Sequence, residues 1–401
     1  MAATTNRSET AVVIIGFLSL AVAFSTRATL GLVMPFWQAE LGWSASFVSG
    51  VAASALVVMA LTAPLAGVLV DRVGARAALA AGLGLVATGA AMVASTSNPI
   101  VFAIGFGGFA AIGFGIVALH TVSTAIAMVY ERNRGLATGI ATSGSTAGQL
   151  LVVPLVAFLL TTLSWRWSFG GLAVMAALGM VLVLVMLPKT AVSGAGRRGS
   201  SASNLRMLLH SPVYNLLFWS FMLCGFTTGG VIETHLLPFS SFCGFPPLPS
   251  ATAYGVLSAV NLGGMILAGY LSDRVNKVFL LAAIYALRAA TFVILIMLPD
   301  LSIEWLFIFA IAFGLVDYST VPVTAGLVAS NLGVKVMGLA MGLLSGGHAL
   351  GAAAGAFAGG YLFDGLGNYA TVWFVAAALS AFAAVLAISV PRGSVVLREA
   401  A

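Results

Sequence analysis

The sequence predicts an all-α membrane protein with twelve transmembrane helices arranged as two pseudo-symmetric six-helix bundles. Three observations predict it: a scarcity of charge, twelve long apolar runs, and a repeat at half the chain length. Only 7% of the 401 residues are charged and 61% are hydrophobic, giving a mean hydropathy of +1.10. A soluble domain carries about a quarter of its residues as charges, so most of this surface is predicted to face lipid.

A spanning helix needs about 20 mostly apolar residues. Taking Pro, Gly and charge clusters as breaks, the runs fall at 11–36, 45–70, 77–96, 99–129, 135–162, 167–187, 213–238, 251–272, 278–298, 303–329, 337–362 and 370–390. Continuous apolar runs exclude a barrel, whose strands are short and alternating. The first run follows a polar lead containing Arg7 and resembles a signal peptide, but it is long enough to span and is read as an uncleaved helix. Trp43, Trp165 and Trp167 are expected to be interfacial anchors.

Orientation follows from Lys and Arg. With the N-terminus inside, Arg7, Arg72, Arg76, Arg132, Arg134, Lys189, Arg197, Arg198, Arg206, Arg274, Lys277, Lys335, Arg392 and Arg398 share the inner side, and Arg166 is the outer base. Both termini are therefore predicted cytoplasmic. This distribution absorbs the net +6 charge without a nucleic-acid partner. Cys224 and Cys243 are too few for a disulfide framework.

The stretch Ser193-Gly-Ala-Gly-Arg-Arg-Gly-Ser-Ser-Ala-Ser203 is Gly/Ser-rich and predicts a flexible cytoplasmic linker. The predicted organisation is an N-terminal bundle over 1–187, a linker over 188–212 and a C-terminal bundle over 213–401. The halves echo each other. Ala66-Gly-Val-Leu-Val-Asp71-Arg72-Val73 returns 202 residues later as Ala268-Gly-Tyr-Leu-Ser-Asp273-Arg274-Val275, and Gly135-Leu-Ala-Thr-Gly139 returns after 203 as Gly338-Leu-Ala-Met-Gly342. Pro35-Phe36 also returns after 203 as Pro238-Phe239. A parallel six-span repeat is a plan of secondary transporters, with the solute held at the repeat interface.

The Gly-x-x-x-Asp-Arg pattern after spans two and eight resembles the loop signature of the major facilitator superfamily. Tyr130-Glu-Arg-Asn-Arg-Gly-Leu-Ala-Thr-Gly-Ile-Ala-Thr-Ser-Gly144, with the region from His348 to Asp364, is similar to its bacterial monocarboxylate and oxalate–formate antiporter-like branch. The resemblance implies a major facilitator fold, alternating access and a small organic anion as solute. The branch's carboxylate-binding arginine of span eight has no counterpart in Asn261-Leu-Gly-Gly-Met265.

Ionisable residues inside spans are costly unless paired or hydrated, so they carry most of the functional information. Arg27 in span one is a candidate anion contact, or else a structural partner of an acid. Glu233 and His235 in span seven are candidates for substrate binding and proton coupling. Asp317 and Tyr318 lie mid-span in span ten. Arg288 in span nine is expected to pair with Asp317, which is also a proton-coupling candidate. Tyr318 and His348 are further substrate-binding candidates, and His120 is read as structural. Asp71, Arg72, Arg76, Asp273 and Arg274 sit at helix ends, where their charges can hold neighbouring helix termini in one conformation and release them in another, so they are gating candidates. Glycines crowd spans five and eleven, including Gly144, Gly148, Gly351 and Gly355, and predict close helix crossings.

No phosphate loop, metal cluster or nucleophile elbow is legible, so neither ATP drive nor enzymatic activity is expected, and no cofactor or metal. The expected partners are a small-molecule substrate, membrane lipid and protons, around a monomer in a bacterial-type inner membrane. The preferred reading is a secondary active transporter of an organic anion such as a monocarboxylate, coupled to protons or working by exchange. The alternative is a carrier of a larger or neutral compound, by vitamin-like uptake or drug efflux.

Overall fold

A computed structural model describes residues 2–187 and 201–391. Among the described residues there is no strand, and twelve helices are long and apolar enough to cross a membrane. They are Glu9–Met34, Gly50–Val73, Ala75–Ser95, Pro99–Val129, Arg134–Leu160, Trp165–Met186, Pro212–Phe242, Pro249–Ser272, Lys277–Asp300, Glu304–Asn331, Val334–Phe363 and Ala370–Ile388, numbered here as spans one to twelve. Each overlaps the run that predicted it. Of the bases used to predict orientation, Lys189, Arg197, Arg198, Arg392 and Arg398 lie outside the described residues.

Local chemistry sets the ends. The Asn98 side chain accepts the Ile100 N–H (2.8 Å) at the start of span four, with Pro99 in the first turn, where its missing N–H costs nothing. Asn276 caps span nine in the same way through Val278 N–H (2.9 Å). Span two stops at Gly74 (φ 85°) and span eleven at Gly367 (φ 67°), both in backbone regions that glycine enters without steric cost.

The described residues form two compact units. One contains spans one to six apart from Arg132–Gly139; the other contains spans seven to twelve together with Arg132–Gly139. The first turns of span five thus belong by contact to the second unit, because Gly135 and Gly139 lie directly on the backbone of Gly269. Residues 188–200 of the predicted linker are outside the described residues, and the rest departs from expectation. Ser201–His210 is helical, and Leu208 is buried. Its Leu, Met and Arg are good helix formers, and one buried leucine gives the helix a face to pack.

Both units use one crossing rule. In the first, Gly144 and Gly148 of span five rest on the main chain of Phe17 and Ala21 in span one. In the second, Gly351 and Gly355 of span eleven rest on the main chain of Met222 and Phe226 in span seven. A Cβ at any of these positions would overlap backbone atoms, so glycine is what permits the approach. Each unit has an aromatic core. Trp37 packs against Phe102 (4.8 Å), Trp165 (5.9 Å) and Phe169 (5.7 Å) in the first, and Trp373 packs against Phe239 (4.9 Å) and Phe292 (6.3 Å) in the second. Leu61, Leu65, Val185 and Phe357 are largely exposed, as lipid-facing side chains are.

The twelve spans are not twelve uniform rods. Span four widens to a π-helix over Ala103–Ala110, ends its next segment at Ile116 and restarts at Leu119. Span seven carries a π-helix over Phe226–Ile232, and span ten stops at Val316 and restarts at Thr320. Spans four and ten are thus interrupted at similar positions of the two halves. Interrupted helices in corresponding positions of two repeats are the structural pointer to a transport site.

Candidate functional site

The span-ten interruption organises a polar cluster in the second unit. The last carbonyls of a helix have no intrahelical donor, and its C-terminus carries partial negative charge. Here Arg288 of span nine answers them. Its Nη2 donates to the Val316 carbonyl (2.7 Å) and to the Asp317 carbonyl. Its Nη1 donates to Cys224 Sγ (2.8 Å) and Thr228 Oγ1 (3.0 Å) of span seven. Arg288 has no exposed surface, and Tyr285 and Phe313 each place a ring 5.6 Å from its guanidinium.

Arg288 meets Asp317 by charge and through a hydrogen bond to its main-chain oxygen. The carboxylate Oδ2 instead takes a 3.4 Å hydrogen bond from Asn261 Nδ2, and Asn261 Oδ1 accepts the Tyr318 N–H (3.2 Å). The reason is the helix break: free carbonyls at Val316 and Asp317 take the guanidinium donors that a carboxylate would otherwise take. Asp317 and Asn261 are both buried.

Tyr318, next in the chain, donates its hydroxyl to Glu233 Oε1 (2.7 Å). Glu233 follows directly on the π-helix of span seven and is exposed. Glu233, Tyr318, Asn261 and Asp317 therefore form one hydrogen-bonded series from an exposed acid to a buried one. His348 lies at the cluster's edge, half-buried, with its ring 4.9 Å from Phe221.

The other candidates stand apart. His235 is buried, and its Nε2 lies 3.0 Å from the Ala356 carbonyl of span eleven, with its ring beside Tyr369. It packs spans seven and eleven together and does not join the Glu233 series, two residues along the helix being the opposite face. His120 is buried and hydrogen-bonded to the main chain of Ala63, as a structural histidine is. Trp165, at the start of span six, is buried and its indole N–H donates to Glu40 (2.7 Å), whereas Trp167 is exposed. A carboxylate within reach draws the indole inward.

Arg27 lies in the first unit, half-buried, with its guanidinium 4.7 Å from the Phe24 ring. Among the described residues no acid of that unit pairs with it, so the structural-partner reading has no partner there. The neighbouring hydroxyls of Ser25, Thr26 and Thr29 are turned back onto their own helix, leaving the guanidinium as the available polar group on this stretch.

The gating candidates divide. Asp273 is engaged most fully: its two oxygens accept the N–H groups of Gly135 and Leu136, 2.8 Å each, at the start of span five. A carboxylate across two unsatisfied N–H groups at a helix N-terminus is favoured by both hydrogen bonding and the helix dipole. Arg274 stacks over Tyr270 at 3.6 Å. Arg76 donates to the Leu184 carbonyl in the last turn of span six, within its own unit, a contact with a neighbouring helix end. Asp71 and Arg72 are half-buried and exposed, respectively.

Sequence reasoning missed Asn261, Cys224 and Thr228. Asn261 stood in the stretch noted for lacking a base, and its amide is what links Asp317 to Tyr318. Nothing in the local pattern of Cys224 or Thr228 announces a bond to a residue sixty positions away. Among the described residues no group of three His, Cys, Asp or Glu could hold a metal ion.

Comparison with known proteins agrees with this architecture. The chain is 24% identical over 372 residues to monocarboxylate transporter 13 of Rattus norvegicus, covering 92% of this chain and 85% of that one. It is 26% identical over 387 residues to monocarboxylate transporter 11 of Homo sapiens, covering 92% and 80%. The crystal structure of the transporter FucP in the outward conformation superposes with a TM-score of 0.78 at 18% identity, over 94% of this chain and 98% of that one. The sequence profile of the Major Facilitator Superfamily matches residues 16–333, and the chain belongs to that family of membrane transporters.

Proposed function

We propose that the protein is a secondary active carrier of a small organic anion, of monocarboxylate type, that couples transport to protons by alternating access. The observation that carries this reading is the series Glu233–Tyr318–Asn261–Asp317, which ties an exposed acid to a buried one. Acids able to bind and release a proton in sequence are what a proton-coupled carrier needs, and membrane-embedded acids are too costly to keep without such a use. Arg27 supplies the anion contact: a fixed planar cation, half-buried, facing no acid of its own unit. The names of the monocarboxylate transporters among its relatives point to the same solute class.

In this reading Asp273 is the principal gating residue, holding the first turn of span five in one state and releasing it in the other. Asp71, Arg72 and Arg274 take the corresponding role at their own helix ends. The carrier works as a monomer in a bacterial inner membrane, and the distribution of Lys and Arg supports placing both termini in the cytoplasm. A neutral or larger solute is the second reading. It is favoured by Asn261, an uncharged amide in span eight where the branch carries its arginine.

Thermal-shift screening of the purified protein separates the two. Small carboxylates are expected to raise the melting temperature, and Arg27→Ala to abolish that shift while leaving the unliganded melting temperature nearly unchanged. A carboxylate shift that survives Arg27→Ala removes the anion contact. Counterflow in proteoliposomes with and without a pH gradient then tests coupling, and uptake indifferent to the gradient, in wild type and Glu233→Gln alike, removes the proton.

A further inference from the structure

The two halves share the interruption but not the way it is held. In the first half, the break of span four is closed by the chain itself, the Val117 N–H returning to the Gly113 carbonyl at 2.8 Å. Counting back 203 residues from Arg288, Asp317 and Tyr318 gives Leu85, Phe114 and Gly115, all without charge. A broken span therefore does not need a buried arginine. The second half has one nonetheless, fully enclosed, with each Nη nitrogen shared between two acceptors.

The shell around that guanidinium consists of two helix-end carbonyls, a threonine hydroxyl and a thiol sulfur. It is built of acceptors, and beside it lies the Asp317 carboxyl, whose Oδ1 is buried. Carbonyls of an unwound segment with a nearby carboxylate are the donor set with which interrupted transporter helices hold a coupling cation. Here the cation is covalently attached to span nine. We propose that Arg288 is a tethered cation filling a cation site at the span-ten break, and that its fork positions Asp317 and Tyr318. Cut back to alanine, the side chain leaves a shell that accepts free guanidinium. Arg288 is thus a positioning residue: it touches the carbonyl next to the proton-handling carboxyl, and fixes the turn from which Tyr318 reaches Glu233.

The test is chemical rescue of Arg288→Ala with guanidinium chloride at millimolar concentration, using equimolar urea and sodium chloride as controls. Melting temperature is the first readout and is independent of the transport proposal. Guanidinium is expected to restore it; urea, of the same shape without charge, and sodium, charged without the planar fork, are expected not to. Solute uptake driven by a pH gradient is the second readout. It should fall by roughly tenfold or more, the worth of one charge-assisted hydrogen bond, and recover with guanidinium, while the carboxylate thermal shift assigned to Arg27 remains. If the alanine variant does not fold, Arg288→Lys serves. It keeps the charge but cannot serve four acceptors, and is expected to melt near wild type while losing gradient-driven uptake. Equal rescue by urea and guanidinium overturns the proposal, as does an alanine or lysine variant with wild-type uptake and pH profile. Absence of the melting-temperature rescue refutes the cation shell itself, whereas wild-type protein whose uptake is indifferent to the pH gradient refutes the proton coupling of the proposed function and leaves the shell to be judged by melting temperature.

Discussion

Removing the carboxylate of Asp273 is the sharpest test of how the start of span five is held. Its two oxygens take the Gly135 and Leu136 N–H groups at 2.8 Å each, and both donors lie in the first turn of the helix Arg134–Thr142, where no intrahelical acceptor exists. A hydrogen bond to a charged group contributes about 1.5–3 kcal/mol. Asp273 is partly exposed, so the lower end applies. Asp273→Asn keeps one acceptor oxygen and loses the other with the charge, a cost of about 1.5 kcal/mol, or roughly tenfold in the opening equilibrium. Asp273→Ala loses both bonds, about 3 kcal/mol and on the order of a hundredfold. Hydrogen exchange followed by mass spectrometry reads this directly in the peptide over residues 132–139, since exchange of a locally opening segment tracks its opening free energy. Asparagine should speed exchange there about tenfold and alanine further, with the peptides of span twelve unchanged. Exchange over residues 132–139 that is the same in Asp273→Ala as in wild type would refute the reasoning. The Gly135–Gly269 contact alone would then hold the segment.

Two further predictions use other parts of the molecule. Gly148→Val and Gly351→Val each drive side-chain atoms into the main chain of the helix they cross, costing about 1–3 kcal/mol or more. Each should lower the melting temperature, whereas Gly263→Ala, with nothing within 4 Å of the added Cβ, should leave it unchanged. Burial pushes the Cys243 thiol up to about 11. Because the thiolate is the reactive form, its alkylation by iodoacetamide should be slow at neutral pH and rise with pH until about 11. A rate already at its plateau near neutrality would contradict that burial.

The twelve spans were legible because lipid imposes a single requirement on every spanning residue, and an apolar run of sufficient length satisfies it whatever its neighbours are. The glycine crossings were legible for a related reason. Gly148 and Gly351 recur at the repeat offset, and a small residue there has one physical use. The cluster around Arg288 was legible only in part. Cost arguments picked out Arg288, Asp317, Tyr318 and Glu233 as residues that must do something, and the structure brings all four together. Their pairing was not legible, because it depends on carbonyls freed by a helix break. That break did leave a trace in Pro322, which sits in the first turn of the restarted helix Thr320–Asn331, where its missing N–H is harmless. His235 shows the limit of a cost argument. An imidazole can be satisfied by one backbone carbonyl, here that of Ala356, so its presence in a span says less than that of a full charge.

Duplication supplied the same scaffold twice: paired glycine crossings, paired interruptions and paired Asp-Arg helix ends. Charge inside the scaffold is not duplicated. The first unit holds Arg27, a cation that keeps its proton under all ordinary conditions. The second holds Glu233 and Asp317, with Arg288 bonded to the carbonyls at the span-ten break. Acids within spans are costly unless they are put to use. A carrier that binds an anion on a permanent cation and neutralises it with a proton taken elsewhere needs this division. Glu233→Gln and Asp317→Asn should therefore abolish gradient-driven accumulation while leaving carboxylate exchange, which moves no net proton, close to wild type. If exchange and accumulation fall together in both variants, the acids serve the fold or the solute and the division of labour is wrong.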